Sequence, residues 1–161
     1  GAEVIAAASS ENKLAAAKKA GADHLINYSE GNIREKIKNI VGSSGIDVLY
    51  DPVGGELFEP CLRSLAWGGR ALVIGFASGT IPKLPTNLTL VKGCSVVGVF
   101  WGAFRIKETE EDNKNFEILF KWFKEKKVSP LVSQKFSLEN AKEALLTLAT
   151  RKAIGKVIIT P

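Results

Sequence analysis

The segment Ile46-Asp47-Val48-Leu49-Tyr50-Asp51-Pro52-Val53-Gly54-Gly55 most constrains what this chain can fold into. An apolar run breaks into Asp-Pro-Val-Gly-Gly, and a helical pattern follows. The run is too short for a typical helix, and its β-branched residues suit a strand buried on both faces. The glycine pair permits a tight turn and close approach of the backbone to a ligand. Ligands of open α/β sheets sit outside the carboxyl ends of the strands, where this turn falls. The segment therefore predicts a buried strand feeding a nucleotide site.

The flanking sequence repeats that rhythm. Residues 2–8 (AEVIAAA) read as a buried strand, Ser10 as the N-cap of a helix over 11–20, and Gly21 as its C′ residue. Residues 24–28 form a second strand. Ile33, Ile37, Ile40 and Val41 recur at i, i+4, i+7 and i+8, the apolar face of a helix. A helix over 56–65 puts Phe58, Leu62 and Leu65 on one face, with Pro60 tolerable near its start. Gly68 and Gly69 turn the chain into a strand over 70–74. After a Pro-containing loop and a helical turn around 88–92, residues 95–101 read as a further strand. Phe116, Leu119, Phe120 and Phe123 mark the apolar face of a helix running to about Lys126. Repeating strand–helix units of this length predict an α/β fold with a Rossmann-like, doubly wound parallel sheet.

Beyond Lys127 the rhythm changes. A strand over 131–136 precedes a helix capped by Ser137, with Leu138, Ala141, Leu145 and Leu148 facing inward, and an apolar strand over 155–160. This tail is not a further unit of the same sheet, so a boundary near Val128 divides residues 1–127 from 128–161.

Composition excludes some classes. Cys61 and Cys94 each fall in an apolar pattern and read as buried thiols of a reducing compartment, without a disulfide framework or metal cluster. No apolar run approaches the ~20 residues of a membrane span. The net charge of +5 comes from lysines scattered among acids, with no basic stripe, which argues against a nucleic-acid partner. The chain contains no Met and begins on an apolar strand, the look of an excised piece.

The chemistry is sparse. A dinucleotide fold opens with a strand and a G-x-G-x-x-G turn, and no such fingerprint is present. It would belong immediately upstream of Gly1 if residues 2–8 are the second strand. NAD-selective sites place an acid at the end of that strand. Ser9 and Ser10 stand there instead, with Lys13 one turn on and Tyr28 after the next strand. Two hydroxyls, a cation and a phenol suit a 2′-phosphate and favour NADP(H) over NAD(H), although Ser10 is equally a helix cap and Lys13 a solvated lysine. Asp51 reads as a turn residue more readily than as a ribose or metal ligand. His24, the only histidine, reads as structural. Phe100 and Trp101 either wall a nicotinamide or pack. No paired carboxylates, metal-ligand spacing or G-x-S-x-G elbow appear, so no catalytic residue and no metal ligand is assigned.

Taken together, GAEVIAAASSENKLAAAKKAGADHLINY, DVLYDPVGG, SLAWGGRALVIGFASG, VVGVFWG and GKVIITP resemble the zeta-crystallin-like quinone oxidoreductases of the medium-chain dehydrogenase/reductase superfamily. The likeness is strongest to their quinone oxidoreductase-like branch and covers all but residues 104–114. It implies that Ser9, Lys13 and Tyr28 bind the 2′-phosphate of NADPH, and that Pro52 and Val53 pass the adenosine or ribose. It also places Ile74, Gly75, Phe76, Ala77 and Ser78 in the loop beside the cofactor, and Val99, Phe100 and Trp101 near the nicotinamide. Ala153 stands where family members often carry a cofactor-binding Asn.

The resemblance further implies a zinc-independent enzyme that reduces quinones or enones, and a homodimer joined through the strand over 96–100. Residues 128–161 resemble the returning piece of a GroES-like catalytic domain whose other half is absent here. The first strand, Gly-rich loop and following helix of the cofactor domain are likewise absent. In the 3-2-1-4-5-6 strand order that missing strand lies between residues 2–8 and 46–50. The expected location is cytoplasmic, with mitochondrion and peroxisome also compatible. A methyltransferase would need an acid where Ser9 and Ser10 stand. A non-enzymatic NADPH-binding protein is separated only by measured hydride transfer.

Overall fold

The computed structural model describes residues 1–161 and groups them into two compact units, Gly1–Trp101 and Gly102–Pro161. The first unit alternates strand and helix: β1 (Ile5–Ala8), α1 (Glu11–Lys19), β2 (His24–Asn27), α2 (Ile33–Val41), β3 (Ile46–Asp51), a 3-10 turn (Gly55–Leu57), α3 (Phe58–Leu62), β4 (Leu65–Val73), α4 (Asn87–Lys92) and β5 (Ser95–Gly98). Ser10 is extended at the N-cap of α1, and its carbonyl accepts the Lys13 and Leu14 amides at 3.1 Å. Its hydroxyl makes no capping bond, so the expected cap is positional only. Asn32 does cap α2, its side chain accepting the Arg34 amide at 2.9 Å. Ile33 and Ile37 are buried on the apolar face of that helix, as the periodicity requires.

Every strand pair is parallel, which places the strand ends that follow one another on a common edge. The strands form two blocks, β1–β2 and β3–β4–β5, with no hydrogen bonding between β1 and β3. The sheet is thus open at the position where the strand order calls for one more strand. This changes the burial expected of β3. Leu49 and Ile46 pack inward, but Val48 and Tyr50 are 48% and 65% exposed, because β3 is an edge with one face uncovered.

Two adjoining clusters make the core. Phe58, Leu62, Leu65, Ala71 and Leu88 form one, and Ile26, Ile33, Ile37 and Cys61 the other. Ile46 and Leu49 contact both. Burying Leu62 and Leu65 completely contributes about 1.5–3 kcal/mol apiece. The helix expected to reach Leu65 stops at Leu62, with Pro60 in its first turn and a half, and Leu65 starts β4 instead. The Ile46 amide donates to the Ser64 carbonyl at 3.0 Å and draws the chain into the sheet. Gly68 and Gly69 lie inside β4, in an irregularity where Ile46 pairs Leu65 and Val48 pairs Arg70. Cys61 is buried and Cys94 only half-buried.

The second unit begins within α5 (Trp101–Lys107), a helix the sequence pattern did not reveal, and continues through α6 (Thr109–Lys124), β6 (Val132–Ser137), a 3-10 turn (Leu138–Asn140), α7 (Ala141–Ala149) and β7 (Lys156–Thr160). β6 and β7 pair in parallel as a separate sheet. Buried Asp112 accepts from Arg105 Nε at 3.2 Å and ties α6 to α5. The apolar faces are less covered than their periodicity predicts: Leu119, Phe120 and Phe123 on α6, and Leu138, Leu145 and Leu148 near α7, are exposed. A two-stranded sheet offers too little area to cover them. Ser137 precedes its turn without a capping bond.

Candidate cofactor site at the carboxyl ends of the strands

The ends of β1 and β2 are stitched together by the main chain. The Tyr28 amide donates to the Ala8 carbonyl at 3.0 Å, and the Ser29 hydroxyl to the Ser9 carbonyl at 3.1 Å. These bonds bring Ser9, Ser10 and Tyr28 to one edge, with Lys13 in the first turn of α1. All four are half-buried, and Tyr28 packs against the second core cluster, which restrains its ring. The α1 N-terminus adds a partial positive charge to this edge. Two acids lie nearby, and both are engaged elsewhere: Glu11 and Glu30 accept from the Asn27 side-chain amide at 3.2 and 2.9 Å. The edge offers hydroxyl, phenol and ammonium groups, the chemistry that receives a phosphate.

At the end of β3 the chain turns on Asp51, which is 8% exposed. One carboxylate oxygen, Oδ1, accepts the Val53 and Gly54 amides at 2.9 Å each. Asp51 is therefore a turn residue, as its place before Pro52 suggests. The turn is laced to the loop after β4. The Pro52 carbonyl accepts the Ala77 amide at 3.1 Å, and the Val53 carbonyl the Ser78 amide at 2.9 Å. The Gly55 amide donates to the Thr80 carbonyl at 3.0 Å. Gly54 and Gly55 hold φ of +66° and +67°, and a Cβ on Gly55 would lie 2.9 Å from Ser78 Oγ. Pro52, Val53, Ile74, Gly75, Phe76, Ala77 and Ser78 are thereby brought together.

The end of β5 joins the same edge, because the Val99 amide donates to the Val73 carbonyl at 2.9 Å. Phe100 and Trp101 follow, 78% and 53% exposed. β5 ends at Gly98, so Val99, Phe100 and Trp101 are not the strand residues expected, and Trp101 opens α5. The structure does not unite the β1–β2 group with the β3–β4–β5 group through any shared ladder. Sequence reasoning missed Thr80, whose contribution is a main-chain carbonyl that any residue supplies and that leaves no signal.

Other candidates fall away. His24 Nε2 lies 2.6 Å from Glu3 Oε1 in an exposed pair. Burial, and then the Asp51 charge, push the Cys61 thiol up to about 11, which keeps it protonated and unreactive at neutral pH. No three His, Cys, Asp or Glu side chains gather where they could hold a metal ion. No helix is long and apolar enough to cross a membrane.

Residues 1–124 match the protein family described as zinc-binding dehydrogenase. Quinone oxidoreductase-like protein 2 of Bos taurus is 39% identical over 159 residues, covering 99% of this chain and 46% of its own length. Quinone oxidoreductase 1 of Escherichia coli is 30% identical over 165 residues, covering 100% of this chain and 50% of its own. The crystal structure of Escherichia coli quinone oxidoreductase complexed with NADPH aligns with a TM-score of 0.84 at 29% identity, over 100% of this chain and 50% of that one. Pseudomonas syringae pv. Tomato quinone oxidoreductase aligns with a TM-score of 0.86 at 25% identity, again over 100% of this chain and 50% of that one. The chain spans about half the length of the curated relatives it matches.

Proposed function

The chain belongs to the zinc-binding dehydrogenase family, and on that premise we propose that it is the cofactor-binding portion of an NADPH-dependent oxidoreductase acting on quinones or α,β-unsaturated carbonyls. The observation that carries this reading is the stitched β1–β2 edge, which collects Ser9, Ser10, Lys13 and Tyr28 while its acids are bound to Asn27. The names of the aligned relatives and the NADPH held by the aligned Escherichia coli enzyme support it.

NADPH, when bound, supplies the hydride, and the chain's own residues position it. Ser9, Ser10, Lys13 and Tyr28 hold the 2′-phosphate. Pro52 and Val53 pass the ribose, residues 74–78 line the cofactor, and Val99, Phe100 and Trp101 wall the nicotinamide end. No side chain of this chain is assigned as acid or base. The family description names zinc, but this chain gathers no ligand set for it. Residues 1–127 serve as the NADP-binding part and 128–161 as part of a GroES-like catalytic domain. The exposed edge of β5 pairs with its copy in a homodimer, which also covers Val97 and Val99.

The test is fluorescence titration of the intact protein with NADPH and NADH, beside Lys13→Ala, followed by hydride transfer to a quinone. A charge-assisted bond is worth about 1.5–3 kcal/mol, so the substitution weakens NADPH roughly 10- to 100-fold and leaves NADH within about 2-fold. Equal affinity for the two cofactors in the wild type would refute the assignment. Binding without hydride transfer would leave a non-enzymatic NADPH protein.

A further inference from the structure

We propose that Asp51 is a positioning residue that fixes both loops of the cofactor edge through the turn it holds. The proposal rests on the NADPH reading above for its consequence in binding. Its geometry is independent of that reading. The Oδ1 atom of this buried carboxylate is consumed by two main-chain amides, those of Val53 and Gly54, rather than aimed outward at a ligand. Those bonds set the direction of the peptide units at 52 and 53. The carbonyls of Pro52 and Val53 in turn accept the Ala77 and Ser78 amides, so the second loop is placed by the first. The Asp51 carbonyl adds a bond from the Ile74 amide at 3.0 Å, joining the loops at their base. The side chain thus acts on the second loop through the main chain of the first.

An asparagine presents the same kind of acceptor oxygen at this position, and an alanine presents none. The experiment compares Asp51→Ala and Asp51→Asn with the wild type in the intact protein, by amide hydrogen exchange and NADPH titration. In Asp51→Ala the Ala77 and Ser78 amides are expected to exchange about 10-fold faster or more, as loss of the buried acceptor of two main-chain amides implies. Amides of β2 stay unchanged, and the NADPH Kd rises roughly 10-fold, the same order as the loop opening. Asp51→Asn restores both readouts to within about 3-fold.

Unchanged exchange at Ala77 and Ser78 in Asp51→Ala overturns the proposal, whatever the cofactor does. An Asp51→Asn variant as impaired as Asp51→Ala overturns it too, since the charge itself would then be in use. If the wild type binds no NADPH, the cofactor reading fails while the exchange data still decide whether Asp51 positions the loops. Should Asp51→Ala not fold, Asp51→Ser, which keeps one short acceptor, is expected to exchange the Ala77 and Ser78 amides faster than asparagine does, and wild-type exchange in Asp51→Ser refutes the coupling.

Discussion

Replacing Gly55 by alanine tests how tightly the two loops are fitted. The residue has φ of +67°, a conformation that costs a non-glycine residue about 1 kcal/mol. The added Cβ would lie 2.9 Å from Ser78 Oγ and 3.2 Å from Ser78 Cβ. Rotating the hydroxyl away relieves only the first contact, because the second is to an atom fixed on the backbone. The loop must then move by a few tenths of an ångström, against the Ser78 amide bond to the Val53 carbonyl. Overpacking of this kind costs about 1–3 kcal/mol. The sum, about 2–4 kcal/mol, corresponds to local opening roughly 30- to 1000-fold more frequent, read as hydrogen exchange at the Ala77 amide. Adding Ser78→Gly removes the collision but not the backbone strain, and should return all but about 1 kcal/mol. Unchanged exchange in Gly55→Ala, or no recovery in the double variant, would show that the loops are not packed against each other as described.

Two further outcomes are expected. Cys61 has its thiol raised from 9.0 to about 11, so the folded state keeps a proton that the unfolded chain releases. That contribution is complete below about pH 9 and is lost as pH rises towards 11, by roughly 2–3 kcal/mol at most. Urea midpoints of the intact protein at pH 8 and 10.5 should show the decline, and Cys61→Ala should flatten that part of the profile. Val97, 39% exposed on the β5 edge, should tolerate lysine in a monomer. In the intact protein Val97→Lys is expected to shift a dimer towards monomer in sedimentation, and an unaltered dimer would locate the interface elsewhere.

Where a pattern is local, it was legible. α2 shows its isoleucine periodicity and β3 its apolar run, and both form where the sequence puts them. What misled was tertiary. Leu65 continues the spacing of Phe58 and Leu62, yet it enters the sheet because the Ile46 amide captures Ser64. Val48 and Tyr50 carry the signature of a strand covered on both faces, and nothing in their own sequence reports that one face is bare. The cofactor edge divides in the same way. Asp51 before Pro-Val-Gly announces a turn, but its reach to Ala77 and Ser78 depends on β4 running beside β3. Bringing Ser9 and Tyr28 to one edge likewise needs β1 and β2 in register, Ala8 opposite Asn27.

The division of the sheet has a consequence for ligand binding. The groups proposed to receive the phosphate stand at the ends of β1 and β2 and those proposed to face the nicotinamide after β5, and no strand pairing joins the two blocks. Apolar contacts also join them: Ile46 and Leu49 pack into both clusters, and Leu57 and Cys61 lie with Ile26, Ile33 and Ile37. Apolar contact is not directional, so it constrains the blocks less tightly than a strand ladder would. A cofactor long enough to touch both edges would supply that constraint. NADPH at about 100 times its Kd stabilises the bound state by about 2.7 kcal/mol. It should therefore slow exchange at the Tyr28 and Ser78 amides alike. Adenosine 2′,5′-bisphosphate, which carries the phosphate end alone, should protect Tyr28 and leave Ser78 as in the free protein. Equal protection of Ser78 by the shorter ligand would mean that the contacts already present lock the blocks, and that the open sheet is no looser than a closed one.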